Sequence, residues 1–145
     1  MDKFKVILID DEPPARGKLS RLLAPYEDFD IIGEADNGVD GLRLIEELKP
    51  DVIFLDIQMP RLDGLSVASN MQDNLKTRIV FTTGYNEHAL RAFELNAIDY
   101  LLKPFDKQRF DNTINRIRSH KGVRAADNIP ALIQDCPSSN DLRLI

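Results

Sequence analysis

Several features that would point to other classes of protein are scarce or missing in this sequence. Its 145 residues include one cysteine, Cys136, so no disulfide can form within the chain and a reducing, cytoplasmic setting is expected. No apolar run approaches the roughly 20 residues that span a bilayer. The N-terminus leads directly into a strand-like segment, so neither a signal peptide nor a membrane partner is expected. The formal net charge of −5 disfavours a broad surface for phosphate backbones.

The motifs of two common phosphate-binding folds are also missing. No glycine-rich loop follows the first strand-like segment, which argues against a dinucleotide fingerprint and against a P-loop at that position. The residues found there, Asp10-Asp11-Glu12, would repel an unaccompanied pyrophosphate. His88 and His120 have no partners at metal-ligand spacing, so we interpret both as surface residues.

What the sequence does contain is a regular alternation of short apolar runs and longer amphipathic stretches. The runs predict strands at 4–9, 29–35, 52–55, 78–82 and 98–102. The stretches predict helices at 14–24, at 65–74, at 86–95, at 106–120, and between a cap at Asn37 and a stop at Lys49-Pro50. Five successive β-α units predict a parallel sheet covered by helices on both faces.

The pattern weakens from Gly122 onward, where prolines and a polar run replace the periodic segments. We therefore expect one domain over residues 1–121, followed by a linker or tail over residues 122–145. A small basic cluster near the end of the last predicted helix is interpreted as a solvated helix end: Arg116, Arg118, Lys121 and Arg124.

Polar residues stand where four of the predicted strands end. These are Asp10 and Asp11 after the first strand, Asp56 after the third, Thr82-Thr83-Gly84 after the fourth, and Lys103-Pro104 after the fifth. In a parallel sheet the carboxyl ends of the strands share one edge, which is where ligands bind. The sequence thus predicts one pocket with three aspartates, a hydroxyl and a lysine.

This set of side chains favours a particular phosphate chemistry. Three clustered carboxylates repel one another and need a cation, and Mg²⁺ is common where phosphoryl groups are handled. Lys103 supplies a compact positive charge for Asp56 or a phosphoryl oxygen, and Thr83 supplies a hydroxyl donor. We therefore predict metal-assisted formation of an aspartyl phosphate.

Single acidic residues after strands are usually loop residues or helix caps, and we interpret Glu12, Asp36 and Asp106 in that way. The joint occurrence of acidic, hydroxyl and lysine residues at four strand ends favours function for the others. A phosphatase with an aspartyl nucleophile would need a general acid close by, and the residue two positions after Asp56 is Gln58. A lasting phosphoaspartate is therefore expected, which favours a switch over an enzyme that turns over.

Four segments together resemble the receiver domain of two-component response regulators, over about residues 4–120. They are residues 6–12, Phe54-Leu55-Asp56-Ile57-Gln58-Met59-Pro60 with the following Asp63-Gly64, residues 81–84 and residues 100–105. The resemblance implies a flavodoxin-like (βα)5 fold, a doubly wound parallel five-stranded sheet in the order 2-1-3-4-5.

The same resemblance implies a role for each pocket residue. Asp56 would accept a phosphoryl group from a histidine kinase. Mg²⁺ would be bound directly by Asp11, Asp56 and the backbone carbonyl of Gln58, and through water by Asp10.

The other end of the pocket would carry the switch. Thr83 would be the switch hydroxyl, Tyr100 the aromatic side chain that changes rotamer, and Lys103 a contact of the phosphoryl group. Gly84 keeps a small residue beside the site, so access to Asp56 should not suffer. The Lys103–Pro104 peptide bond is expected to be cis.

The stretch from Phe81 to Phe105 is similar to bacterial receivers that precede a LytTR-type DNA-binding domain. The presence of Thr83, Tyr100 and Lys103 on adjacent strands motivates the hypothesis of a two-state switch, in which phosphoryl oxygens draw Thr83 inward and Tyr100 enters the space that Thr83 leaves. The surface formed by the fourth predicted helix, fifth strand and fifth helix would then form a homodimer or release an output domain.

The stretch after His120 is too short for the LytTR module. Either the chain is part of a longer transcription regulator or it acts through protein contacts alone.

Two hypotheses from other classes stay open at the level of sequence. The chain could be a constitutive interaction module with a vestigial pocket, although every pocket member is present. It could instead bind DNA by itself, although it shows no recognition element and is acidic.

Overall fold

The computed structural model describes residues 3–71, 76–85 and 97–119, and every structural statement below concerns these residues. The strands are β1 (Phe4–Ile9), β2 (Phe29–Ala35), β3 (Val52–Asp56), β4 (Arg78–Thr83) and β5 (Asp99–Leu102). The helices are α1 (Pro13–Leu23), α2 (Gly38–Leu48), α3 (Gly64–Ser69) and α4 (Lys107–Ser119). The helix predicted at 86–95 and the tail at 122–145 lie outside the described residues.

The five strands form one parallel sheet in the order β2-β1-β3-β4-β5, which confirms the predicted flavodoxin-like fold. The three inner strands β1, β3 and β4 carry continuous apolar runs, because helices cover both faces of the sheet. Every residue of β3 is buried, and so are the last four of β1.

Each face of the sheet has its own apolar core. On one face Ile9, Leu55 and Phe81 pack with Ile45 of α2 and Val67 of α3. On the other face the alternate strand residues pack against α1 and α4: Leu8, Phe54, Val80 and Leu101 with Leu19, Phe110 and Ile114. This alternation places Asp56, which is two residues after Phe54, on the α1 and α4 side of the sheet.

Helix boundaries agree with the sequence signals except at α3. Pro13 and Pro14 occupy the first turn of α1, and the Asn37 side chain accepts a hydrogen bond from the backbone of Asp40 at the start of α2. Helix α3 begins at Gly64, where Asp63 caps it by accepting from Ser66 N, and ends at Ser69. It is shorter than the predicted helix over 65–74, of which residues 72–74 lie outside the described residues.

None of the helices in the described ranges is long and apolar enough to cross a membrane.

Candidate functional site

Three aspartates meet at the carboxyl edge of the sheet. Asp10 directly follows β1, Asp11 comes next, and Asp56 is the last residue of the neighbouring strand β3. Each offers a carboxylate oxygen, and these oxygens all lie within 4.8 Å of one another. Asp10 and Asp56 are buried, with 0% and 3% of their surface exposed, whereas Asp11 is partly open to solvent.

Lys103 brings a positive charge to this cluster from the end of β5. Its Nζ donates to Asp10 Oδ2 at 2.9 Å and lies 3.7 Å from Asp56 Oδ1. Burial lowers the pKa of Lys103, but the Asp10 hydrogen bond and the charge of Asp56 outweigh this effect, so its pKa is raised overall. Lys103 is therefore a permanent cation at neutral pH. The Lys103–Pro104 peptide bond is cis.

Asp56 carries a strongly perturbed carboxyl group. Burial raises its pKa to about 7, the negative charge of Asp10 adds to this rise, and Lys103 opposes it. One lysine faces three carboxylates, so the cluster keeps excess negative charge when all three are ionised. Oxygen ligands with that excess are what a hard divalent cation prefers, and the cluster is compatible with Mg²⁺.

The backbone around Asp56 is held by close contacts on the following loop. Ile57 N donates to Thr82 O at 3.0 Å, and Gly64 N donates to Ile57 O at 2.9 Å. A Cβ added at Gly64 would lie 2.3 Å from the carbonyl oxygen of Asp56, so only glycine fits there without movement. Sequence reasoning gave Gly64 no such role, although Asp63-Gly64 was part of the resemblance.

The hydroxyl of Thr83 is already engaged. Thr83 is fully buried at the end of β4, and its Oγ1 donates to the side-chain oxygen of Gln58 at 2.7 Å. The same oxygen accepts from Tyr85 N at 3.1 Å. The sequence indicated Gln58 only as a backbone ligand and as a missing acid, so this side-chain contact was missed.

Tyr100 of β5 lies inside the protein with 7% of its surface exposed. Its hydroxyl donates to the backbone carbonyl of Tyr85, the residue that also donates to Thr83. The structure therefore combines a buried Tyr100 with a Thr83 hydroxyl that is held by Gln58.

A second charged cluster connects β5 to α4. Asp99 is fully buried and accepts from Arg109, Arg116 and Thr113, at 2.8, 2.9 and 2.5 Å for their shortest contacts. Interpreting Arg116 as part of a solvated helix end was therefore wrong, because its side chain is only 13% exposed and neutralises a buried carboxylate. Arg118 does lie at the surface, paired with Asp28 at 2.7 Å.

Two acidic residues that we interpret from the sequence as loop residues or helix caps precede helices. Asp106 accepts from Arg109 N at 2.8 Å and caps α4, as expected. Glu12 precedes α1 at the cap position, but its side chain makes no capping hydrogen bond. His88, His120, Lys121, Arg124 and Cys136 lie outside the described residues.

Comparison with known proteins identifies the family. Residues 6–115 match the response regulator receiver domain. The transcriptional regulatory protein BtsR of Escherichia coli is 42% identical over 127 residues, which are 88% of this chain and 53% of that protein. An uncharacterized response regulatory protein of Vibrio vulnificus is 49% identical over 144 residues, which are 96% of this chain and 60% of the relative. The chain thus spans little more than half of these relatives.

Solved structures show the same fold. The response regulatory domain of mrkE from Klebsiella pneumoniae superposes with a TM-score of 0.75 at 42% identity, covering 79% of this chain and 95% of that one. The receiver domain of a putative response regulator NarL from Mycobacterium tuberculosis gives a TM-score of 0.73 at 28% identity, covering 82% and 99%.

Proposed function

The chain belongs to the response regulator receiver domain family, and from that premise we propose that Asp56 accepts a phosphoryl group from a histidine kinase in the presence of Mg²⁺. The observation that carries the proposal is the placement of Asp56. It ends a fully buried strand, shares a cluster with Asp10 and Asp11, and lies 3.7 Å from the cation of Lys103.

The transfer makes one bond and breaks one. A carboxylate oxygen of Asp56 attacks the phosphorus of the donor, the bond from phosphorus to the donor atom breaks, and its electron pair leaves with the donor. Asp56 must be ionised to attack the phosphorus. Because its pKa is about 7 in the metal-free protein, a sizeable fraction is protonated at neutral pH, and nearby positive charge increases the ionised fraction. Lys103 supplies part of that charge and can contact a phosphoryl oxygen.

Asp11, Asp56, the Gln58 backbone carbonyl and, through water, Asp10 would hold Mg²⁺. When bound there, the ion would neutralise charge on the phosphoryl group and on the carboxylates. Asp10 already accepts from Lys103 Nζ and from Glu12 N, which supports the less direct role for this residue.

Phosphorylation would then act as a switch rather than as a step of an enzymatic cycle. The phosphoryl oxygens would compete with Gln58 for the hydroxyl of Thr83, and the contacts of Tyr85 and Tyr100 would change with it. The chain would show only Mg²⁺-dependent self-phosphorylation from a donor and slow self-dephosphorylation.

The output would lie in a longer protein. The relative of which the matched residues make up 53% is named a transcriptional regulatory protein, so we propose transcriptional control through a LytTR-type DNA-binding domain after this receiver. Homodimerisation through residues 86–95, β5 and α4 would connect phosphorylation of the receiver to the activity of the DNA-binding domain. The alternative is a stand-alone receiver that acts by protein contacts.

The direct test is labelling by a small phosphodonor. The wild-type chain should gain the mass of one phosphoryl group from acetyl phosphate with Mg²⁺, and lose this reactivity in EDTA. Asp56→Asn should gain none, whereas Asp63→Asn, an exposed aspartate in the same loop, should react like the wild type. Label on Asp56→Asn would make the site assignment wrong, and an unreactive wild type would favour a vestigial pocket.

A further inference from the structure

A cavity of about 200 Å³ lies beside the acidic cluster, and Asp10 and Lys103 form part of its lining. It is bounded by α1 on one side and by the loop that follows β5 on the other. Its apolar wall consists of Ala15 and Leu19 from the helix and Pro104 and Phe105 from the loop. A space of this size and character holds a single six-membered ring with a small substituent, since benzene fits apolar cavities of about 150 Å³.

One polar group in the wall has no partner within the described chain. Thr82 lies opposite Asp56 in the register of β3 and β4, and it is 1% exposed. Thr82 is one of the residues that line the cavity, and its buried hydroxyl makes no hydrogen bond to another described group. Because buried hydroxyls in folded proteins are nearly always hydrogen-bonded, this one lacks a partner that a water molecule or a ligand atom in the cavity would supply.

The charged groups of the wall are, in contrast, already engaged. Lys103 pairs with Asp10, and Lys18 donates to the carbonyl oxygen of Phe105 at 2.7 Å while lying 4.3 Å above its ring. A charged ligand would have to displace one of these contacts and would lose its own hydration as well. The wall therefore selects against anions and cations.

We propose that this cavity binds a small uncharged molecule that has one six-membered ring, or a hydrocarbon body of similar size, and one hydroxyl or carbonyl group directed at Thr82. The apolar body would pack on Leu19 and Phe105, and the polar group would satisfy the buried hydroxyl. Phenol has this composition, and toluene matches its shape without the polar group.

Binding at this site would influence the acidic cluster, because the cavity is lined by Asp10, which belongs to the cluster, and by Lys103, which pairs with Asp10. This influence rests on the proposed function, whereas binding itself does not. The binding experiment therefore uses the full chain without a phosphodonor, and its outcome is independent of whether Asp56 becomes labelled.

The test is a titration of the chain with phenol and with toluene, followed by chemical-shift changes in protein NMR spectra. Both probes should bind saturably to the wild type. Thr82→Val keeps the shape and removes the hydroxyl, so it should weaken phenol about threefold to tenfold and leave toluene unchanged or tighter. Ala15→Leu should fill the space and abolish binding of both.

Three results would overturn the proposal. They are the absence of saturable binding of both probes, phenol affinity that is equal in the wild type and in Thr82→Val, and full binding to a folded Ala15→Leu. If Ala15→Leu fails to fold, the comparison of phenol with toluene on Thr82→Val still decides, because that substitution conserves volume.

Discussion

Asp56 ends up in an environment that opposes its own ionisation. Burial and the charge of Asp10 raise its pKa from 3.8 to about 7, and Lys103 offsets only part of this effect. The folded protein therefore holds a proton on Asp56 that the unfolded chain releases between these two values. Over that interval the unfolded state binds fewer protons, so the contribution of Asp56 to stability falls as pH rises and then levels off above about 7.

Replacing Asp56 with Asn should remove this penalty. In EDTA, we expect Asp56→Asn to unfold with about the same free energy as the wild type near pH 4 and with a free energy on the order of 2–4 kcal/mol higher at pH 8. Urea unfolding across this pH range measures the difference. Mg²⁺ at pH 8 should narrow it by binding the folded wild type. A difference in free energy of unfolding between Asp56→Asn and the wild type that does not vary with pH would contradict the raised pKa of Asp56.

Asp99 shows the opposite situation, in which a buried carboxylate is fully compensated. Arg109, Arg116 and Thr113 all donate to it, and both its oxygens are used. The exposed pair of Asp28 and Arg118 is a matched comparison, because it also connects an aspartate to an arginine of α4. Its two side chains are 37% and 40% exposed, so water replaces the contact easily.

The two carboxylates should therefore differ in their contribution to stability. Asp99→Asn leaves two arginines without their common counter-charge and should lower the free energy of unfolding by about 2–4 kcal/mol. Asp28→Asn should lower it by less than about 1 kcal/mol. Urea unfolding at pH 7 gives both values. Equal losses would mean that the Asp99 cluster contributes no more than a surface pair.

At the scale of the elements, the loop between β3 and α3 is positioned by glycines. Gly64 lies against the backbone of Asp56, and Gly38 at the start of α2 lies against the Leu62 carbonyl, where a Cβ would come within 2.1 Å. Both close approaches involve backbone atoms, which cannot rotate away as a flexible side chain can. The loop that carries Gln58 is thus fixed from two sides.

Gly64→Ala should consequently displace the Asp56 end of β3. We expect a loss of about 2–4 kcal/mol in the free energy of unfolding, together with slower labelling by acetyl phosphate. Gly84 is the matched control, because a Cβ there meets no described atom within 4 Å. Gly84→Ala should be neutral or slightly stabilising, by up to about 1 kcal/mol. Similar behaviour of the two variants would argue against a close-packed loop.

The elements themselves were largely predictable from sequence. Apolar runs such as Val52–Leu55 specify buried strands, and Asn37 and Pro13 mark helix starts through local chemistry. The convergence of Asp10 and Asp56 follows from parallel topology alone, because it brings strand ends to one edge. These signals depend on periodicity and short-range contacts, which a single sequence contains.

The contacts that sequence reasoning missed depend on long-range packing. The hydrogen bond from Thr83 to Gln58 joins residues 25 positions apart, and Arg116 finds Asp99 across 17 positions. Neither pairing has a periodic signal, and a basic residue on a helix resembles a solvated one until the helix is docked. The close approach of Gly64 to Asp56 is likewise a property of the assembled sheet and loop.

At the scale of the whole molecule, three hydrogen bonds connect Gln58, two residues after Asp56, to Tyr100 of β5. Thr83 donates to Gln58 and accepts from Tyr85, and the carbonyl of Tyr85 accepts from Tyr100. These groups can adopt two arrangements, one before and one after phosphorylation. A phosphoryl group on Asp56 shifts the equilibrium between them only if it interacts more favourably with one arrangement than with the other. Gln58 is a competitor for the Thr83 hydroxyl, so its side chain should favour the unphosphorylated arrangement.

Dimerisation of the chain provides a readout of the equilibrium between these two arrangements. Acetyl phosphate with Mg²⁺ should strengthen self-association of the wild type, and Thr83→Ala should remove this gain at equal phosphorylation. Gln58→Ala keeps the backbone carbonyl and removes the competing oxygen, so it should strengthen the phosphorylated dimer about twofold to tenfold, the equivalent of one hydrogen bond. Thr77→Ala is the control, because the Thr77 hydroxyl also donates a hydrogen bond, to Pro50 O at 2.7 Å. Thr77 directly precedes β4 and therefore lies at the opposite end of that strand from Thr83 and the site. Sedimentation velocity on samples of known phosphorylation, measured by intact mass, separates these cases. Dimerisation of phosphorylated Thr83→Ala at the wild-type level would exclude Thr83 as the link between Asp56 and the dimer surface.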